Sequence, residues 1–400
     1  MKKPFPRRAF LRAAAMVPVG AAATPTLTAA AARSTNFFKD LGVTPIINGA
    51  GVYTMMTGSL MRPEVIAAIE ATSKQFVRFT DLSEAVGKKI AAMVGVEDAV
   101  VTSGAAAALT LGTAAVLTGG DPERIQRIPD LTGMKNEVII QKAHRFPYDH
   151  MVRNCGIKMI EVETRGQLEQ AISEKTALLL YLNKADPLGQ VKMEEFLQIA
   201  KQKRIPTMID AAADVPPVEN LMRPIRLGFD LIAVSGGKGI RGPQSAGILF
   251  GKKDLIRAAR LNTLPYSDTL GRSCKVNKEE MVGMMVALDA FLKEDHAALY
   301  KEWNRRVELM RAAVTSVPGV KGEVFTPVIA NQVPHLRVTW DEGRIRLTPK
   351  VLMQKLREGT PSIELVPESA VGVEIASWML QPGEAEIVGQ RMKAILGGAK

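Results

Sequence analysis

The chain is poor in the features that announce whole classes of protein. Only two cysteines are present, Cys155 and Cys274, 119 positions apart. That number and spacing suggest neither a metal-binding cluster nor a disulfide scaffold. A single bridge in an oxidising compartment stays open to them, and two buried thiols are the ordinary alternative. No run of about 18 apolar residues follows the N-terminus, so the mature chain has no evident transmembrane helix. Tandem repeats and low-complexity segments are lacking beyond the first 32 residues. What is there is 400 residues with 46% hydrophobic content, enough for a substantial core and for more than one domain.

Acidic residues are missing altogether from residues 1–32, MKKPFPRRAFLRAAAMVPVGAAATPTLTAAAA. A basic start, an apolar middle and a small-residue end read as an export signal. Arg7-Arg8 followed by Ala9, Phe10 and Leu11 resembles the twin-arginine signal, which serves proteins that fold, often around a cofactor, before crossing the membrane. Cleavage near Ala32 leaves Arg33 first and a periplasmic protein. It also removes Lys2, Lys3, Arg7, Arg8 and Arg12, lowering the formal net charge from +11 to +6. The remaining surplus is spread rather than clustered, which argues against a nucleic-acid surface and fits attraction to anionic substrates.

From about Asn36, short β-branched runs alternate with helical stretches. VEDAVVTSG, NEVIIQKAH, IKMIEVE, TALLLYLN, RIPTMIDAAA and FDLIAVSGG read as strands, and AAAALTLGTAAVL as a helix of small residues. Such alternation predicts an α/β fold with a mostly parallel sheet covered on both faces. A long amphipathic helix is expected from Lys278 to about Val314, broken near Asp295, followed by a smaller α+β unit. The expected divisions are a signal at 1–32, an N-terminal segment at 33–75, a large domain at 76–315 and a small domain at 316–400.

Ligands of parallel sheets sit beyond the carboxyl ends of the strands, where TSGA, KAH, DAAAD and SGGK all fall. Backbone N–H groups of Ser103, Gly104 and Ala105 at a helix start would face an anion; a plain strand-to-helix turn is the alternative. Asp210 ends an apolar run, where an unpaired carboxylate is costly unless a cation meets it. Lys238 stands between glycines after a strand, 28 positions beyond Asp210. Gly236, Gly237 and Gly239 are expected to keep space around its amine. No metal site is indicated.

ING-AG (Ile47 to Gly51), VVTSGAAAAL, Ile209-Asp210 and, above all, SGGKGIRGPQSAGILFGKKDLI resemble the selenocysteine synthase-like family of pyridoxal phosphate enzymes, related to L-seryl-tRNA(Sec) selenium transferase. The resemblance runs from about residue 37 to 396. It implies fold type I, the aspartate aminotransferase fold, with a seven-stranded-type sheet and pyridoxal 5'-phosphate as cofactor in the large domain. It makes Lys238 the Schiff-base lysine, Asp210 the partner of the pyridine nitrogen, and Ser103, Gly104, Ala105 and Ser235 the phosphate contacts. His144 is then similar to the group that covers the cofactor ring, a satisfied structural histidine being the alternative; His150 is a weaker candidate. Arg272 and Lys275 are similar to basic groups that meet an anionic substrate, although the lysine replaces a bidentate fork by a point charge.

A protein exported and without a preceding helical domain is a poor match for action on a transfer RNA. The expected reaction is α,β-elimination, of ammonia-lyase type, from a small hydroxylated amino acid or amino-sugar acid. Rivals are an aminotransferase or racemase, or an envelope binding protein that kept the fold without turnover. Transamination is disfavoured because no arginine stands at TPSIEL, where many aminotransferases place a carboxylate clamp. A homodimer or higher homo-oligomer is implied, with TGSLMRPE (residues 57–64) offered to a partner's site. No nucleic-acid partner and no stable membrane insertion are expected.

Overall fold

The computed structural model describes residues 36–399; the expected export signal lies outside the described residues. The chain divides at Pro45 into two units. In the described part of the first, the short helix Phe37–Asp40 is capped by Asn36 Oδ1, which accepts from Lys39 N at 3.1 Å.

The second unit, Ile46–Lys400, carries twelve strands among the described residues. They are β1 (Ile46–Gly49), β2 (Asp98–Thr102), β3 (Glu137–Gln141), β4 (Lys158–Val162), β5 (Thr176–Leu182), β6 (Thr207–Asp210), β7 (Leu231–Ser235), β8 (Gly247–Gly251), β9 (Val320–Phe325), β10 (His335–Trp340), β11 (Ser362–Leu365) and β12 (Val373–Ala376). Seven form one sheet in the order β2-β8-β7-β6-β5-β3-β4. Neighbours from β7 to β4 run parallel, while β8 is antiparallel to both β2 and β7.

Helices on both faces explain why TALLLYL shows no alternation: every residue of β5 is buried. Successive residues point to opposite faces, so Leu179, Tyr181, Ile209 and Ile232 enter one core and Leu178, Leu180, Met208 and Leu231 the other. The helix Gly104–Thr118 lies close on the second face because its side chains are small. A Cβ at Gly112 would come within 2.6 Å of Met208 Sδ.

The long helix is indeed two, Lys278–Lys293 and His296–Thr315. The second begins at Asp295, whose side chain accepts from Ala298 N at 2.9 Å. Val307, Met310 and Val314 of this helix pack with β9, β10 and β12 in the C-terminal core, and Ile47 of β1 joins them. The division expected at residue 316 thus falls between a helix and the strands it covers. β1 pairs in parallel with β11, so the start of this unit closes its end. No helix among the described residues is long and apolar enough to cross a membrane.

The fold is therefore α/β with a mostly parallel seven-stranded sheet, helices on both faces and a C-terminal α+β part.

Candidate active site

β7 ends at Ser235, and the chain then turns through two glycines to Lys238. The turn is fixed by its backbone: Gly236 N donates to Ala246 O at 2.8 Å, Gly242 N to Gly236 O at 2.9 Å, and Arg241 N to Lys238 O at 3.0 Å. The glycines serve this packing. A Cβ at Gly237 would lie 2.3 Å from Gln244 Cα, one at Gly239 2.1 Å from Val215 O, and one at Gly236 2.1 Å from Met284 Sδ.

Asp210 closes β6, one strand away, and is 4% exposed. One carboxylate oxygen accepts from Ala212 N at 2.8 Å; no hydrogen bond reaches the other among the described residues. Burial raises its pKa, opposed by the Ala212 N–H and by the charges of Lys238 and Lys184. Burial likewise lowers the pKa of Lys238, opposed by Asp210 and Asp214.

Asp214 is a residue that sequence reasoning did not single out. It is 3% exposed, and its Oδ2 accepts from Asn183 Nδ2 at 2.9 Å. Burial pushes its carboxyl up to about 7, with the charge of Asp210 adding to the effect. The only trace in the sequence is a second aspartate four places after the first, inside an otherwise apolar run. Two carboxylates and one amine therefore share a buried space in which none is held firmly in its charged form.

Ser103 follows β2, and the helix Gly104–Thr118 begins without any side-chain cap at its N-terminus. Its first N–H groups are thus left for an anion. Gly104 has φ +77°, a conformation that glycine adopts without strain. Gly247 of β8 pairs with Thr102 on one side and Ser235 on the other, which draws Ser103, Gly104, Ala105 and Ser235 to one end of three adjacent strands. A Cβ at Gly247 would lie 2.5 Å from Gly104 C and 2.7 Å from Ala105 N. Gly247→Ala is accordingly expected to cost about 1–3 kcal/mol of stability and to weaken retention of a phosphate-bearing ligand. Thermal unfolding and cofactor absorbance after gel filtration measure the two effects; an unchanged pair would discount this contact.

Burial raises the pKa of the Cys274 thiol, opposed by the hydroxyls of Ser273 and Ser103. The turn carrying it, with Arg272 N donating to Thr269 O at 3.1 Å and Cys274 N to Gly271 O at 3.0 Å, therefore lies near the helix start at Ser103. Arg272 and Lys275 stand on either side of Cys274, both exposed, on a turn rather than a helix. Cys155 is fully buried and its thiol is pushed up to about 12 by burial; the two cysteines are unpaired with each other.

His144 occupies a different place from the one the resemblance implies. It is 0% exposed and stands edge-on to Tyr181, with ring centroids 4.3 Å apart. Its Nδ1 accepts from Leu182 N at 3.3 Å, and its Nε2 lies 3.4 Å from Gln141 Nε2. The short turn Lys142–His144 folds the ring back onto β5, leaving no open face to lie over a cofactor. His150, first residue of the helix His150–Arg153, is exposed.

Burial depresses the His144 pKa to about 4. A depressed group stabilises the fold above its ordinary value near 6.5 and loses that contribution as pH falls towards 4. The loss from this residue is on the order of 3 kcal/mol. Asp214 runs the other way, its contribution being full below about 4 and lost as pH rises to about 7. Urea unfolding between pH 7 and 4 is expected to show a flatter acid limb in His144→Leu than in the wild type. Equal slopes would remove His144 from the account.

The donors suit pyridoxal phosphate. A buried carboxylate with one unclaimed oxygen fits a protonated ring nitrogen, the uncapped helix start fits a phosphate, and a lysine whose pKa burial lowers fits an aldehyde. A family model described as L-seryl-tRNA selenium transferase matches residues 77–303. The chain is 29% identical over 339 residues to D-glucosaminate-6-phosphate ammonia lyase of Salmonella typhimurium, covering 82% of this chain and 88% of that one. It is 28% identical over 380 residues to 5'-C-glycyluridine monooxygenase-decarboxylase of a Streptomyces species, covering 90% and 93%. A solved structure of D-glucosaminate-6-phosphate ammonia-lyase superposes with a TM-score of 0.78 at 27% identity, over 92% of this chain and 100% of the other. Serine palmitoyltransferase from S. paucimobilis, at 12% identity and a TM-score of 0.55 over 89% and 88%, is alike in fold. The chain belongs to the L-seryl-tRNA selenium transferase family and is a pyridoxal phosphate-dependent enzyme of fold type I.

Proposed function

We propose that the enzyme catalyses α,β-elimination from a small hydroxylated amino acid or amino-sugar acid, releasing ammonia and a keto acid. The observation that carries this reading is the half-buried Lys238 amine near Asp210 and Asp214, where burial favours the neutral amine a base must be. The ammonia lyase among its relatives supports the substrate class.

Pyridoxal phosphate supplies an electron sink for the pair left when a substrate amine loses its Cα proton. Lys238 would hold the cofactor aldehyde, and its amine, when free, would take that proton. Asp210 would keep the pyridine nitrogen protonated, a positive neighbour that favours the ionised carboxylate burial alone disfavours. Ser103, Gly104, Ala105 and Ser235 would hold the phosphate. Asp214, titrating near neutrality, is a second proton carrier for the β-hydroxyl, which departs as water. Hydrolysis of the released enamine returns that water and gives ammonia and keto acid. Arg272 and Lys275 attract the acidic end of the substrate.

Incubating the cofactor-loaded protein with D- and L-hydroxy amino acids and amino-sugar acids tests the reading. Ammonia and keto acid in equal amounts, with no acceptor keto acid, are expected. A need for an acceptor would point to transamination. Oxygen uptake with release of carbon dioxide would instead favour chemistry of the kind named for the Streptomyces relative.

Export by the twin-arginine route to the periplasm belongs to the same proposal, supported by Arg7-Arg8 and the acid-free first 32 residues. Arg7→Lys with Arg8→Lys is expected to keep the protein in the cytoplasmic fraction. A homodimer is supported by the exposure of Met55, Leu60 and Phe76, at 72%, 62% and 103%; sedimentation of the cofactor-loaded protein tests it.

A further inference from the structure

A second cavity, of about 120 Å³, lies against the lysine loop without including Lys238, Asp210, Asp214 or Ser103. Gly239 and Arg241 line it from the loop, Arg62 from the N-terminal segment, His296 and Arg306 from the helix His296–Thr315, and Trp378 from the end of β12. Its donors outnumber its acceptors.

Arg62 is 8% exposed and gives both terminal nitrogens to Glu294, yet its Nε is buried without a partner. Arg306 is committed to Glu302 and to Leu380 O. Arg241 has no such partner: Nε donates to Leu60 O at 3.0 Å, and no acceptor among the described residues reaches either Nη. Burial lowers its pKa and the neighbouring charge of Arg62 lowers it further, opposed by the charges of Glu294 and Glu64. Its backbone is also held at φ +61°, a conformation in which a residue with a Cβ is strained and which persists where the surroundings impose it.

His296 adds the opposite kind of group. Its Nε2 lies 2.8 Å from Phe291 O, to which it donates in the tautomer that leaves a lone pair on Nδ1, and Nδ1 is buried without a partner. Glu294 also lines the cavity, its carboxylate taken up by Arg62; what is left over is guanidinium donors and one imidazole acceptor. An anion that also carries a hydroxyl satisfies both.

We propose that this cavity is a second anion site, which takes hydrogen phosphate or a like protonated oxyanion on the free Nη groups of Arg241 and the Nε of Arg62, with His296 Nδ1 accepting from the ligand's hydroxyl. Its location separates it from the cup that holds the cofactor phosphate. Because Arg241 N donates to Lys238 O, the bound anion steadies the loop that carries the lysine.

The test is calorimetric titration of the cofactor-loaded protein with inorganic phosphate and, separately, with sulfate, which carries no hydroxyl at neutral pH. Phosphate is expected to bind, and sulfate to bind more weakly. Arg241→Gln is expected to lose at least about tenfold in affinity for both anions, Arg241→Lys less, and His296→Phe is expected to bring phosphate down to the level of sulfate. The melting temperature of each variant without added anion shows that it has folded. No phosphate binding in the wild type, an unchanged affinity in a folded Arg241→Gln, or equal affinities for the two anions in the wild type would each overturn the site.

Discussion

Lys238→Ala is expected to retain less than about one part in ten thousand of wild-type turnover, since both the attachment point for the cofactor and the base go with the one side chain. Among the described residues no other lysine stands in the same place: Lys184, whose charge reaches the pocket, is exposed. The variant is expected to fold, because the turn from Gly236 to Gly242 is tied through backbone atoms and through contacts of glycine with Gln244 and Val215. Asp210 and Asp214 lose their opposing charge and stay protonated to higher pH, which the buried space tolerates. Turnover of the panel substrates, with the visible absorption of the lysine-bound cofactor as a second readout, checks this. Residual activity within tenfold of wild type would sink the assignment.

Asp210→Asn is expected to lower turnover by about a hundred- to ten-thousandfold while leaving the fold intact. Asparagine has the same shape and can still accept from Ala212 N, so β6 keeps its end. What it lacks is the negative charge that holds a proton on a ring nitrogen. Without cofactor the variant is expected to be at least as stable as the wild type at pH 8, since burying a carboxylate costs more than burying an amide. Slow turnover with undiminished cofactor-free stability is the signature; a variant that is merely unfolded would show as a lowered melting temperature.

The legible parts of this protein are those in which an apolar run stops at a reactive group. VVTSGA, MID and AVSGGK each read as a strand ending in something a core does not hold, and the sheet does bring Ser103, Asp210 and Lys238 to ends of near-neighbouring strands. The break at Asp295 was legible because an acid sits between two helical periods and caps the second.

Other features were hidden for definite reasons. β8 follows β7 through a loop with no helix between them, so the alternation that signals parallel strands gives no hint of an antiparallel one. His144 sits at a strand end, and nothing in KAHRF tells which way a short turn will throw the ring. The glycines around Lys238 are chosen by Gln244, Val215 and Met284, contacts that only the folded chain makes. The arginines of the second cavity, at 62, 241 and 306, are scattered along the sequence and meet only in space.

The wedging of β8 between β2 and β7 also sets a clock. The helix start proposed to seat the phosphate begins at Ser103, but its wall is Gly247, so that seat is incomplete until the ribosome has made about 150 further residues. At translation speeds of roughly 5–20 residues per second that delay is about 7–30 s. Nascent chains halted before β8 should therefore be unable to retain the cofactor, while chains halted after it can begin to. Capture of the prosthetic group thus reports that the central sheet has closed.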